Sequence, residues 1–313
     1  MKNIIPNSNS KPGKAELIPI TSMQKYLVKE GYLIPGIVTV IFVVLMFVSV
    51  GIPKLYEWLI ASYISGAAFY FVYRLCDKPK PWWVLFGSGF ATCIILASPI
   101  LLLFIIVFRG ILPGNVSDNL EQLTFPVLFI KMFFGAGLME ELLKALPVFA
   151  CMWLGQRLRS PRREQVGVWG PLDGILIGTA SGVGFTMFET LGQYVPGMVE
   201  NVTELLGEGL LGLGVGYLAG LQLLIPRILG SIAGHMAYSG YFGYFIGLSV
   251  IYPQERWKIL GVGYFTSSLL HALWNSTGDS LIILATVGAV SYAFFVSAIL
   301  KAKEISKLLI KIT

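Results

Sequence analysis

An all-α, polytopic membrane helical bundle of about eight transmembrane helices is predicted by three features of the sequence. Hydrophobic residues make up 55% of the chain and charged residues only 13%, for a mean hydropathy of +0.74. The apolar residues come in runs of about 20, the length that crosses a bilayer core, rather than in short amphipathic periods. The basic residues behind the net charge of +6 lie in short loops between those runs, where they read as orientation signals and leave no nucleic-acid footprint.

Taken in order, the run from Tyr32 to Val50 follows a polar tail over residues 1–30 and is long enough to span, so it reads as a signal anchor rather than a cleaved signal peptide. Trp58 to Leu75 and Trp82 to Phe108 complete three N-terminal helices over residues 31–124. A core over residues 125–280 holds four runs: Phe125 to Trp153, where Lys131 marks the membrane boundary, Pro171 to Tyr194, Pro226 to Val250, and Trp257 to Thr277. Leu281 to Leu300, with a basic tail, closes the chain over residues 281–313. Trp58, Trp82, Trp83, Trp257, Tyr32 and Tyr194 sit at span ends, as interfacial aromatics do.

Orientation follows from the basic residues. With the N-terminus in the cytoplasm, only Lys54, Arg109 and Arg227 fall outside, while Lys131 and Lys144 lie within a span. Both termini are therefore expected to be cytoplasmic, in a multi-pass protein of the cell membrane. The stretch over residues 196–225 tests this topology, because a full crossing there would invert everything after it. It reads instead as an outer-face amphipathic helix bearing Glu200, Glu204 and Glu208, then a re-entrant or interfacial segment whose glycines at 212, 214, 216 and 220 disfavour a straight span. Gly174, Gly178 and Gly182 recur every four residues and predict a close helix–helix approach. Cys76, Cys93 and Cys151 lack any zinc-ligand spacing and read as small core residues.

Against this apolar background the polar residues inside the spans stand out. "MEELLKALP" places Glu140, Glu141 and Lys144 within a run where each charged group costs roughly 2.5–3.5 kcal/mol on an insertion scale. Glu189, His235, His271 and Asn275 lie in other runs, and the two histidines are the only ones in the chain. At a rise of about 1.5 Å per residue, four helices bring these groups to one layer, roughly 3–14 Å below the outer boundary. Lys144 is spaced to neutralise either glutamate, while the two glutamates point about 100° apart and so take different partners. His271 and Asn275 share a face at i,i+4, an arrangement suited to a developing oxyanion or to a metal.

Such a set can hydrolyse a bond. A carboxylate in an apolar pocket takes a proton from water, and imidazole and amide groups stabilise the tetrahedral oxyanion. Two histidines with Glu140 and Glu189 could equally hold a divalent metal such as zinc that activates the same water, and the residues leave both versions open. Asp173, next to Pro171, reads as a helix-end residue, and Arg227 as a membrane anchor or the partner of a site carboxylate. No HExxH motif is present. The "TASG" of Thr179 to Gly182 and the "GDS" of Gly278 to Ser280 miss the serine and aspartate intramembrane motifs, leaving a glutamate-centred class.

The chain resembles the PrsW family of intramembrane proteases, itself related to the CAAX prenyl protease and bacteriocin-processing superfamily. The resemblance lies in "EELLK" at 140–144, "DGILIGTASGVGFTMFE" at 173–189, "RILGSIAGHMAYSGYFGYFIG" at 227–247 and "HALWN" at 271–275, and covers roughly residues 125–280. It implies Glu140 as the water-activating carboxylate, Glu141 as its partner, and His235, His271 and Asn275 as transition-state or metal-binding groups, supported by Lys144, Glu189 and Arg227. Where the wider superfamily commonly has a histidine this chain has Glu189, followed by Thr190 instead of the usual Asn. The resemblance further implies a membrane-anchored or single-pass protein substrate, such as an anti-sigma factor, cut near its extracytoplasmic side. The alternative from another class is an ion- or proton-coupled transporter, whose polar groups would line a route through both leaflets.

Overall fold

The computed structural model describes residues 33–49, 52–115, 123–207, 209–277 and 280–312. Every regular element among them is helical: α1 (Leu33–Ser49), α2 (Pro53–Cys76), α3 (Trp82–Leu96), α4 (Pro99–Ile105), α5 (Phe125–Met132), α6 (Met139–Arg157), the short α7 (Arg162–Val166), α8 (Pro171–Glu189), α9 (Val195–Leu206), α10 (Leu210–Ser231), α11 (Ala237–Ile251), α12 (Arg256–Ser276) and α13 (Leu281–Ile312). Wider π-helical turns follow or join several of them, at Ile106–Ile111, Phe133–Leu138, Thr190–Tyr194 and Ile232–Met236. The polar tail over residues 1–30, Tyr32 and Glu208 lie outside the described residues.

The chain divides into two compact units, Met1–Leu59 and Ile60–Thr313. The described part of the first is α1 and the start of α2, whose apolar side chains are largely exposed. In the second, α8 is the central helix. Its Ile175, Leu176 and Ile177 are fully buried and share one cluster with Val84 and Leu85 of α3, Val148 of α6, Phe242 and Ile246 of α11, and Phe295 and Ile299 of α13.

The glycine ladder explains how α11 comes so close to α8. A Cβ at Gly174 would overlap the carbonyl of Gly243, one at Gly178 that of Ser239, and one at Gly182 would lie 2.8 Å from that of His235. Away from this interior, Phe86, Phe90 and Ile94 form an i,i+4,i+8 stripe on α3 that is 53–73% exposed, the face such a helix turns to lipid.

Three helices are long and apolar enough to cross a membrane: Pro53–Cys76, Pro171–Leu206 and Ile282–Leu308. The bent pair Trp82–Leu96 and Pro99–Ile111 makes a fourth if it is one span, so length and composition do not reach eight among the described residues. Some helices fall short on length, as α1 does, and others on charge. α6 alone holds Glu140, Glu141, Lys144 and Arg157 within 19 residues.

Two expected boundaries are corrected. The run from Trp82 to Phe108 is not straight but bends by 66° after Leu96, because Ser98 caps a new helix with its Oγ accepting from Ile100 N at 3.3 Å and Pro99 follows at its first position. The helix expected to start at Pro226 starts at Leu210, and Pro226 lies inside it. Gly207, at a φ of 91°, turns α9 back along α10. Glycines expected to disfavour a straight span also let the pair pack closely, since a Cβ at Gly216 would meet Thr203 Oγ1 and the Val199 carbonyl at 2.9 Å. Glu200 and Glu204 are exposed on α9.

At the other end of α8, Asp173 is buried and takes three donors: Lys78 at 2.7 Å, Lys80 at 3.2 Å and the backbone N–H of Trp169 at 3.0 Å. Lys80 also donates to the Gly167 carbonyl at 2.6 Å. Asp173 therefore does more than end a helix, for it clasps the α2–α3 loop onto the start of α8.

Candidate active site

Glu140 and Glu141 open α6 directly after the π turn Phe133–Leu138. The π turn Ile232–Met236 contains His235, and another begins immediately after Glu189. Such wide turns are rare and concentrate at functional sites. Each inserts an extra residue and so rotates the helix beyond it by about 100° relative to a continuous α-helix, which decides where these side chains point.

Glu141 is fully buried and held from three sides. Its Oε1 accepts from Lys144 Nζ and pairs with His271 Nδ1, both at 2.9 Å, and its Oε2 accepts from Ser239 Oγ at 3.3 Å. Glu140 is bound more loosely, its Oε2 lying 3.6 Å from Lys144 Nζ and 3.5 Å from His271 Nε2. Of the two carboxylates, one is locked in place and the other faces the remaining space, with 10% of its side chain exposed.

Lys144 is the hub. It reaches both glutamates, lies 2.8 Å from His235 Nδ1, and sits 4.1 Å above the Phe185 ring. Its backbone carbonyl accepts from Ser181 of α8 at 2.7 Å. His235 Nε2 stands 3.4 Å from Glu189 Oε2, while Glu189 Oε1 accepts from Tyr194 at 3.3 Å. The two imidazole rings meet edge to face at 4.9 Å, and Tyr238 stacks on His271 at 5.2 Å.

Glu140, Glu141, Lys144, Glu189, His235 and His271 are thus brought together. Asn275, one turn beyond His271, is only partly buried and makes no hydrogen bond to the cluster among the described residues. Arg227 lies on α10, but its side chain is outside the described residues. Ser239 and Tyr238 were missed from the sequence, although they follow His235 at i+4 and i+3, the spacing that puts residues on one helix face. Ser181 and Phe185 gave no such signal, because only the packing of α8 against α6 brings them to Lys144.

Glu140, His235 and His271 can each offer one ligand atom, and these atoms lie within 4.8 Å of one another. The buried Glu140 Oε2 and His271 Nε2 have no hydrogen-bond partner among the described residues. The other nitrogen of His271 is held by Glu141, the arrangement that orients a metal-binding imidazole. Two imidazoles and one carboxylate make a donor set suited to zinc with one position left open, so these residues fit a divalent ion. Glu189 is outside that triad.

The family model described as PrsW family intramembrane metalloprotease matches residues 80–300, wider than the stretch where the motifs lie, and takes in α3 and most of α13. No curated protein and no solved structure matches the chain. The family description names a protease rather than a transporter. With buried acids and histidines gathered within an all-helical membrane protein, and the match spanning most of the sequence, the chain belongs to the PrsW family of intramembrane metalloproteases.

Proposed function

We propose that this protein is an endopeptidase that hydrolyses a peptide bond of a membrane-anchored protein, such as an anti-sigma factor, near its extracytoplasmic side. Both termini are on the cytoplasmic side of the cell membrane in this reading. The observation that carries it is the loosely held Glu140 carboxylate facing His271, with a buried atom on each residue that has no hydrogen-bond partner among the described residues. Buried groups left without partners are rare and call for an explanation, and a site awaiting water and substrate supplies one.

The chain's own groups divide the work. In a glutamate-only reaction Glu140 takes a proton from water, and the oxygen adds to the scissile carbonyl. His235 and Asn275 donate to the oxyanion, as does His271 when both its ring nitrogens carry protons, after which the proton passes to the leaving amine as the C–N bond breaks. Glu141 orients His271, and Lys144 holds Glu141 in place. If Glu140, His235 and His271 instead hold a divalent ion such as zinc, that ion supplies an acidified water and a polarised carbonyl. Glu189, neither part of that triad nor locked by Lys144, is then the carboxylate left to accept the proton.

The test compares new peptide termini in membranes expressing wild type, Glu140→Gln or Glu189→Gln at matched levels, with bound metal measured on each purified protein. Termini of single-pass proteins at the outer leaflet are expected with the wild type only, and to fall at least about a hundredfold with Glu140→Gln. Loss of metal in Glu140→Gln assigns that residue to an ion, and retained metal or none in either protein assigns it to water. Termini independent of Glu140 overturn the proposal.

A further inference from the structure

The π turn Phe133–Leu138 that aims the two glutamates is gripped from two sides. On one side, Arg109 of the turn following α4 donates from Nε to the Gly135 carbonyl at 3.1 Å. On the other, Tyr264 of α12 donates to the Leu138 carbonyl at 2.7 Å. Both grips occur where backbone meets backbone: a Cβ at Gly135 would overlap the Gly114 carbonyl, and one at Gly137 would overlap that of Ser268. Two glycines thus let two walls close on the turn, and each wall contributes one donor.

This matters because a π turn in an α-helix leaves a carbonyl without its usual partner four residues on, and inside a membrane no water is at hand to satisfy it. A wide turn is also free to migrate along a helix, and moving it by one residue would swing Glu140 and Glu141 by about 100°. The helix bearing Tyr264 and Ser268 also carries His271, two turns from the first and one from the second. A donor fixed on that helix therefore sets the distances from His271 to both glutamates.

We infer that Arg109 and Tyr264 are positioning residues that lock this π turn and thereby hold Glu140 and Glu141 in register with His271. Neither belongs to the hydrogen-bonded cluster of acids and histidines. For its catalytic readout the inference rests on the proposed function; for its structural readout it does not.

The experiment uses full-length Tyr264→Phe, Arg109→Gln, Arg109→Lys and the Tyr264→Phe/Arg109→Gln double variant in lipid nanodiscs. Amide hydrogen exchange over residues 133–143 is followed alongside kcat and KM on a membrane-anchored substrate. Each of Tyr264→Phe and Arg109→Gln is expected to raise exchange in that segment and to lower kcat about three- to tenfold, the range for losing one hydrogen bond, with KM little changed. Arg109→Lys, which keeps a donor and the charge, is expected to recover part of the loss. The double variant should lose less than the product of the singles, because both donors act on one turn. Exchange over 133–143 unchanged in both singles, or raised equally in every helix, overturns the inference. If the wild type shows no cleavage the proposed function fails, and the exchange data alone still decide whether the turn is clamped.

Discussion

His271 directs one ring nitrogen to Glu141 at 2.9 Å and the other toward Glu140 at 3.5 Å, so a single side chain joins the locked carboxylate to the loose one. Glu141→Gln keeps the shape and an acceptor oxygen but removes the charge that holds the imidazole. Activity is expected to fall about 10–100-fold, and metal affinity with it if His271 is a ligand, as for other groups that orient a ligand histidine. Zinc retained per chain in a fixed zinc buffer, measured beside the cleavage rate, checks both; a variant matching wild type in each would remove Glu141 from this role.

Lys144 has a fully buried side chain between Glu141 and His235. Lys144→Met fills nearly the same space yet leaves Glu141 buried without its cation. Removing one partner of a buried ion pair costs about 3–5 kcal/mol, and a large drop in thermal midpoint in detergent micelles is expected. A Glu141→Gln/Lys144→Met double variant should be more stable than Lys144→Met alone, since no charge is then stranded. The reverse order would show that the pair is not the source of the effect.

Gly182 tests the packing of α8 against the turn that carries His235. In Gly182→Ala the new Cβ would lie 2.8 Å from the His235 carbonyl and 3.2 Å from Ser239 Oγ. Overpacking of this kind costs about 1–3 kcal/mol and should displace His235, lowering stability and, if His235 holds an ion, metal retention as well. Gly192 has nothing within 4 Å of its added Cβ, so Gly192→Ala is the control expected to leave both unchanged.

The Asp173 clasp predicts a pH dependence. Burial pushes the Lys80 ammonium below the ordinary lysine range, while Asp173 opposes the shift. A lysine whose folded pKa is depressed disfavours folding while it is charged, and the penalty fades as the pH rises toward the unfolded value of about 10.4. Asp173→Asn removes the opposing charge and enlarges the penalty. The stability gap between wild type and variant should therefore be widest at neutral pH and narrow toward about pH 10. Thermal unfolding at the two pH values measures it, and a gap that widens with pH would contradict the assignment.

Much of the fold was legible because the physics of the bilayer acts on composition. Apolar runs marked the helices, and a carboxylate or imidazole inside such a run is costly enough to mark itself. Gly174, Gly178 and Gly182 disclosed a close contact, though not that its partner would be the helix following His235. The bend after Leu96 was written in Ser98 and Pro99 but hidden by the apolar residues on both sides of it. The glycines near 212 did not disclose that α9 and α10 pack closely there, because glycine weakens an isolated helix yet permits close packing of a paired one.

By itself, the sequence determined the class of protein, the residues able to do chemistry, and the spacing that lets Lys144 reach two glutamates. Tertiary structure alone decided which glutamate is locked and which is loose, that Lys144 meets His235, and that Asp173 gathers two lysines from a distant loop. The physical reason is twofold. Helical periodicity assigns faces only while every turn holds about 3.6 residues, and the π turns beside Glu140, Glu189 and His235 break that phase. Partners such as Glu141 and His271, 130 residues apart, are chosen by how the helices pack, which no local pattern encodes.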